Sequence, residues 1–343
     1  MLKPVQLGKN SGLRVSRLCL GTMNFGEPGR GHQGDWTLGA DDARPIFTAA
    51  IDRGLFYFDC ADVYGIGASE RVVGQLLKEL LRRDEYVLAT KIAMPMGRGA
   101  NQGGLSRKHV IEGVDACLER LEHDYIDHLV IHRHPHGVPG HIEVPIEETM
   151  EALHDVVKAG KVLYLGGSSM FAWQFAELQL TAKMHGWTQF VSMQNHYNLV
   201  YREEEREMNP YCTKTGIALT PWSPLARGIL TGSYRGGFEG GSTARSQGGD
   251  RVRTQSLYHG DAVFGIADRV VEIAVKYGKT PAQIALAWLL NKPEVTAPVV
   301  GVSKIEQLDQ LVHATEITLE RDDVVYLEEL YRPVKNLLSL GFS

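Results

Sequence analysis

The chain has 343 residues, 43% of them hydrophobic and 22% charged, with a formal net charge of −5. That length suits one large α/β barrel as well as two average domains, and the composition supplies ample core. The acidic balance leaves no basic footprint for nucleic acid or anionic membrane, and no apolar run approaches the ~20 residues that span a bilayer. The first residues, MLKPVQLGKN, lack the apolar centre of a signal peptide. Cys19, Cys60, Cys117 and Cys212 are far apart, form no CxxC pair and have apolar neighbours, as small buried residues do in a reducing compartment. The expected location is the cytoplasm.

In chain order, a predicted hairpin (VQLG, then LRVSRLCLG) is followed by short apolar runs that alternate with longer amphipathic ones. The strand candidates are RLCLG, FYFD, YVLATK, DHLVIH, VLYLGG, FVSMQ, IALTPW and APVVG. Between them lie helical patterns such as DDARPIFTAAIDRG, SERVVGQLLKELLRR, SRKHVIEGVDACLERL and PIEETMEALHDVVKAGK. Strict β-α alternation predicts parallel strands with helical crossovers. Eight such units with no Ser/Pro linker predict a single (β/α)8 TIM barrel over 1–343. Residues 227–256 read as a long glycine-rich loop carrying Arg227, Arg235, Arg245, Arg251 and Arg253, a composition that permits motion and favours an anion. REEERE, 202–207, reads as a solvated helix start.

The apolar runs repeatedly finish on a polar or aromatic residue. FYFD ends at Asp59 and is followed by Asp62 and Tyr64, YVLAT ends in Lys91, and HLVI ends in His132. VLYLGG leads to Ser168 and Ser169, FVSM to Gln194 and Asn195, and IALTP to Trp222 and Ser223. In a parallel barrel these C-terminal ends share one face, where active sites are built. A phenol is too weak an acid at neutral pH, but an adjacent ammonium stabilises its phenolate, a carboxylate holds the ammonium, and a histidine can hydrogen-bond a reacting oxygen. Asp59, Tyr64, Lys91 and His132 together suit proton donation to a developing alkoxide, with the hydride taken from a cofactor because no side chain supplies one. Taken singly, each residue also has a plain structural role available: a helix cap, a snorkelling lysine, a satisfied histidine.

Other motifs are incomplete. No GxGxxG follows a strand; Gly278-Lys279-Thr280 has Ile273 where a P-loop's first glycine belongs; Gly166-Gly167-Ser168-Ser169-Met170 departs from GxSxG at its last position.

The motifs FDCADVYGIGASE, DYIDHLVIHRH, GKVLYLGGSSM, MQNHYNLVYRE, TPWSPLARGILTG and VVGVSKIEQLDQ, in this order over about residues 5–330, resemble the aldo-keto reductase family. SSMFAWQFAELQ and NHYNLVYREEEREM resemble its aryl-alcohol dehydrogenase branch, related to potassium-channel β subunits. The resemblance implies an NADPH-dependent reductase of aldehydes or ketones, with Tyr64 as proton donor, Lys91 lowering its pKa, Asp59 holding Lys91 and His132 orienting the carbonyl. It implies NADPH across the barrel mouth, near Gly21, Thr22, Met23 and Asp59, with Ser168, Ser169 and Gln194 on the carboxamide and Trp222 stacked on the nicotinamide. Ser223, Pro224, Leu225, Arg227, Gly228 and Arg245 would hold the pyrophosphate, and Gly301, Ser303, Lys304, Gln307 and Gln310 the adenosine phosphate.

Three departures stand out. IHRHPHGVPGHIEVP has Pro135 where the family carries an acid, His128 replaces an apolar strand residue, and Gln310 with Leu311 replaces Glu and Asn. Phe25, Met23, Met94, Met96, His134 and Trp222 are candidates for an apolar substrate pocket. The alternatives are a non-catalytic dinucleotide-sensing subunit, or a barrel metal hydrolase drawing on His128, His132, His134, His136 and His141, whose spacing fits no closed site. The expected partner is a small carbonyl compound, without nucleic acid, membrane or metal; a homo-oligomer is compatible with the sequence.

Overall fold

The computed structural model describes residues 2–31, 36–137, 143–234, 237–241, 250–260 and 262–334. Arg235, His141 and Arg245 lie outside them. A hairpin of β1 (Pro4–Gln6) and β2 (Arg14–Ser16) precedes the barrel strands β3 (Cys19–Gly21), β4 (Tyr57–Asp59), β5 (Val87–Ile92), β6 (Ile126–Ile131), β7 (Val162–Ser168), β8 (Phe190–Gln194), β9 (Ala218–Leu219) and β10 (Val299–Val300). These eight pair in parallel in the order β10-β3-β4-β5-β6-β7-β8-β9. A parallel bridge from Leu219 to Val295, with Val299 N–H donating to the Pro221 carbonyl (2.8 Å), joins the last strand to the first. The TIM barrel expected from the alternation is present.

The crossovers are α1 (Ala40–Asp52), α2 (Ala68–Leu80), α3 (Arg107–Leu121), α4 (Ile146–Lys158), α5 (Ala172–His185) and α6 (Met208–Thr215). Beyond β9 come α7 (Asp250–Leu257), α8 (Val263–Tyr277) and α9 (Pro281–Leu290), and beyond β10 come α10 (Ile305–Ala314) and α11 (Arg321–Glu328). Local chemistry sets several starts: Ser106 caps α3 by accepting from His109 N–H, and Thr280, Pro281 and Gln283 make a capping box with proline at the first helical position of α9. Among the described residues no helix is long and apolar enough to cross a membrane.

Alternation along the strands decides what faces the lumen. Leu20, Phe58, Leu88, Leu129, Leu165, Met193 and Leu219 pack outward against the helices. Cys19, Tyr57, Val87, Ala89 and Ala218 fill the inside, with Leu7 and Val15 of the hairpin region. Continuing the inward series carries it to Asp59, two residues after Tyr57, to Lys91, two after Ala89, and to His132, four after His128. That is how the catalytic candidates come to share one end.

His128, in the middle of the lumen, is buried and hydrogen-bonded at both nitrogens, to Tyr57 (2.9 Å) and Ser192 (2.7 Å). Burial first, and the Lys91 charge second, push it down to about 3, so the imidazole is neutral. It is a structural histidine, held by two strands of the lumen. A Cβ at Gly166 would stand 2.4 Å from His128 Nε2 and 2.5 Å from Ser192 Oγ, so this layer requires glycine.

Two expectations need correction. REEERE is not a solvated helix start: Glu203–Glu205 is a 3-10 turn in which Glu203 and Glu204 are buried. Glu203 accepts from Tyr331 O–H (2.6 Å) and Val334 N–H (3.0 Å), so it anchors the chain beyond α11. Burial raises Glu204 to about 8, with Asn195 opposing and Glu203 assisting. A carboxyl raised in the folded state binds more protons there than when unfolded, so its contribution is full below about pH 4.3 and is lost as pH rises through about 8. Glu204→Gln is therefore expected to gain stability on the wild type as pH climbs through that window, by at most about 1.4 kcal/mol per unit. A urea-unfolding difference independent of pH would contradict it.

The second correction concerns the glycine-rich stretch, which is not one long loop. Ala226–Thr231 is a 3-10 segment, Phe238–Gly240 is another, and α7 follows.

Candidate active site

Lys91, fully buried at the end of β5, is the hub of the strand-end cluster. Its Nζ donates to Asp59 Oδ2 (2.5 Å), to the Cys60 carbonyl (2.7 Å) and to the Tyr64 hydroxyl oxygen (3.3 Å). An ammonium has three N–H groups, and each has an acceptor. Asp59 is held from its other oxygen by Gln194 Nε2 (2.9 Å), across the barrel from β8. Burial works against charge on Lys91, but Asp59 and Tyr64 outweigh it and hold the ammonium above its usual range. Because Lys91 donates to the phenol oxygen, the Tyr64 proton must point elsewhere.

The electrostatics of Tyr64 differ from the simplest expectation. Burial dominates and raises the phenol above its ordinary value; Lys91 pulls it down without reversing the shift, and Asp59 adds to the rise. The resting group is the protonated acid, with the lysine positioned to stabilise charge that appears when the proton leaves.

The His132 ring lies edge-on to Tyr64, with centroids 6.0 Å apart. Burial, then the positive charges of Arg133, Lys91 and Arg253, push it well below its ordinary value, so it is a neutral imidazole. Its Nδ1 is a buried polar atom with no hydrogen-bond partner among the described residues. Asp62, just behind the cluster, keeps Oδ1 on the Val63 N–H (2.6 Å) and leaves Oδ2 buried without a described partner. Glu70 (0% exposed), in the first turn of α2, is paired with Arg120 Nε (2.5 Å) and accepts from Thr90 Oγ1 (2.6 Å).

The remaining candidates fall around the same mouth, with differing geometry. Ser168 Oγ donates to the Gln194 carbonyl (2.9 Å), and Trp222 Nε1 donates to Ser169 Oγ (2.9 Å). Ser169, Ser223, Ala226 and Arg227 have φ of 51°, 54°, 48° and 55°, all left-handed, and Gly228 follows at 102°. Successive backbone N–H groups in such conformations form concavities that hold anions. Gly301, Ser303, Lys304 and Gln307 are exposed, and Lys304 sits at the start of α10. Gln307 Oε1 accepts from Ser303 N–H (2.8 Å) and Oγ (3.3 Å). Gln310, half-buried, lies 3.3 Å from Thr280 Oγ1.

Other predicted residues have different duties. Thr22 is fully buried, and its N–H and hydroxyl both donate to the Asp59 carbonyl (2.9 Å each), so its side chain staples β3 to β4. A Cβ at Gly21 would meet Val299 Cγ1 at 2.7 Å, which makes this glycine a sheet-packing residue. Arg227 is ion-paired with Asp250 and reaches Thr254 Oγ1 (3.3 Å), fastening α7 to the 3-10 segment. Phe25 does not line a pocket: it is buried in the core against Phe47, at 5.2 Å. Met23, Met94 and Met96 are half-buried, while His134 is 2% exposed with Nδ1 accepting from His136 N–H (3.2 Å). Among the described residues, no three His, Cys, Asp or Glu groups are placed to hold a metal.

Sequence reasoning missed His196. Its ring lies between Tyr201 (4.3 Å, 12°) and Trp222 (4.0 Å, 8°), and its Nε2 is 2.7 Å from the Tyr258 hydroxyl. The signal was NHYN directly after a strand, but the stack depends on a chain reversal that periodicity does not reveal.

A parallel barrel with a Tyr-Lys-Asp-His cluster at the strand ends and several left-handed residues after β9 has the form of an oxidoreductase. A sequence profile of the Aldo/keto reductase family matches residues 17–332. The chain is 44% identical to a Schizosaccharomyces pombe protein named "putative aryl-alcohol dehydrogenase", over 95% of each chain. It is 43% identical to an aldo-keto reductase of Fusarium vanettenii, covering 94% of this chain and 90% of that one. It is 40% identical to the versiconal hemiacetal acetate reductase of Aspergillus parasiticus, covering 94% and 96%. The chain belongs to the aldo/keto reductase family, and it is an oxidoreductase.

Proposed function

We propose that this chain, as one catalytic barrel, reduces apolar aldehydes or ketones, aromatic ones foremost, to alcohols with NADPH. The observation that carries the reading is the three-way donation of Lys91, which fixes Asp59, the Cys60 carbonyl and the Tyr64 oxygen at once. The fit of a dinucleotide is supported by the left-handed residues Ser223, Ala226, Arg227 and Gly228, by strand-end Ser168 and Gln194, and by the partly exposed Trp222. The aryl-alcohol and hemiacetal names of the relatives favour bulky carbonyl substrates.

When bound, the reduced dinucleotide supplies the hydride to the carbonyl carbon. The chain's residues handle the oxygen. His132, neutral, donates a hydrogen bond to it and sets its direction. Tyr64 transfers its proton to it as negative charge develops. Lys91 stabilises the phenolate left behind, and Asp59 with Gln194 keeps Lys91 in register. The phenolate then recovers its proton from solvent.

A panel of aldehydes and ketones, scored by loss of NADPH absorbance, tests this reading. Turnover of aromatic aldehydes is expected, and no consumption with any carbonyl would defeat it. Prolonged chelation is expected to leave that turnover unchanged; loss with chelator and recovery with zinc would favour the metal hydrolase reading instead.

Cofactor choice gives a separate expectation. Ser303 and Lys304 are exposed at the N-terminal end of α10, where helix N–H groups favour a phosphate. Two charge-assisted hydrogen bonds to the 2′-phosphate, at roughly 1.5 to 3 kcal/mol each, predict at least a hundredfold tighter binding of NADPH than NADH. Ser303→Ala/Lys304→Ala should lose that advantage selectively. Equal dissociation constants in the wild type would contradict it.

A further inference from the structure

The parallel bridge between His196 and Trp222 places two rings side by side on neighbouring extended segments, facing the same way. The chain then turns back through the Asn198–Tyr201 bridge, which brings Tyr201 under the opposite face of His196. The result is a three-layer stack of Tyr201, His196 and Trp222, tilted by only 12° and 8° between layers. Tyr201 (1% exposed) and His196 (4%) are buried, whereas Trp222 is only partly so. The stack is also fixed in its plane. Trp222 Nε1 is tied to Ser169, and His196 Nε2 meets the Tyr258 hydroxyl (2.7 Å) and Asn198 Nδ2 (3.3 Å). The same Asn198 amide donates to the carbonyl of Ser223, a left-handed residue in the turn after β9 (2.9 Å).

We propose that His196 is a positioning residue: clamped by Tyr201 and tethered by Tyr258 and Asn198, it holds the Trp222 indole in the plane on which the nicotinamide ring stacks. This assignment rests on the dinucleotide reading of the site. A histidine suits the middle layer because it offers two flat faces to its neighbours and an in-plane Nε2 to the tethers. Leucine would fill the volume with neither property. Packing alone would make the position important for stability only; positioning makes it important for one end of the cofactor.

The test is calorimetric titration of the wild type, His196→Leu and His196→Phe with NADPH and with adenosine 2′,5′-bisphosphate, which lacks the nicotinamide. Loss of an aromatic partner predicts NADPH affinity about tenfold weaker in His196→Leu, with the nucleotide fragment bound as before. His196→Phe, which keeps a flat ring, should recover most of the loss. Unchanged NADPH affinity in His196→Leu, or a parallel loss on both ligands, would overturn the proposal. If His196→Leu does not fold, Tyr258→Phe removes the shorter of the two tethers while keeping the ring and should show the same split at about threefold; equal NADPH affinity there would likewise overturn it. Failure of the wild type to bind NADPH would instead strike the cofactor reading.

Discussion

Tyr64→Phe is expected to slow carbonyl reduction by about a thousandfold while changing the NADPH dissociation constant little, because it removes the proton donor and leaves the ring. The Tyr64 oxygen accepts from Lys91 at 3.3 Å and belongs to no other hydrogen bond described, so its loss disturbs few contacts. The effect belongs to kcat. A variant that retained most of the wild-type kcat with a raised KM would show that Tyr64 binds substrate and does not protonate it.

Lys91→Met has a double consequence. It removes the charge that stabilises the phenolate, so turnover should fall by at least two orders of magnitude. It also strands the Asp59 carboxylate, 1% exposed and bonded then only to Gln194 among its present side-chain partners. Removing one member of a buried pair costs about 3–5 kcal/mol. The double variant Asp59→Asn/Lys91→Met should regain much of that stability in urea unfolding and none of the activity. Parallel recovery of both would mean that the pair is structural and that Lys91 has no part in the chemistry.

Strand-end residues were legible because period-two alternation carries Tyr57 to Asp59, Val87 to Lys91 and His128 to His132 on the inward face, and a parallel barrel brings those ends together. What alternation does not encode is the route of the chain between elements. Phe25 reads as a pocket residue because it follows a strand end, yet the turn after Thr22 sends it into the core against Phe47. Glu203 and Glu204 read as solvated because acidic runs usually are. Here the segment after α11 folds back and supplies Tyr331 O–H and Val334 N–H to Glu203. Thr22 and Gly21 keep their predicted place at the mouth, but their atoms face the neighbouring strands. His196 was invisible for the same reason. Its value lies in Tyr201, Trp222 and Tyr258, which only the folded path assembles.

The most direct measurement of the central claim is a single turnover with NADPH carrying deuterium at both nicotinamide C4 positions and an aromatic aldehyde, followed by mass analysis of the product. Hydride transfer from the dinucleotide, with Tyr64 supplying only the proton on oxygen, predicts an alcohol with one deuterium on its carbinol carbon. Alcohol without that label, or no alcohol from any carbonyl in the panel, would contradict the account.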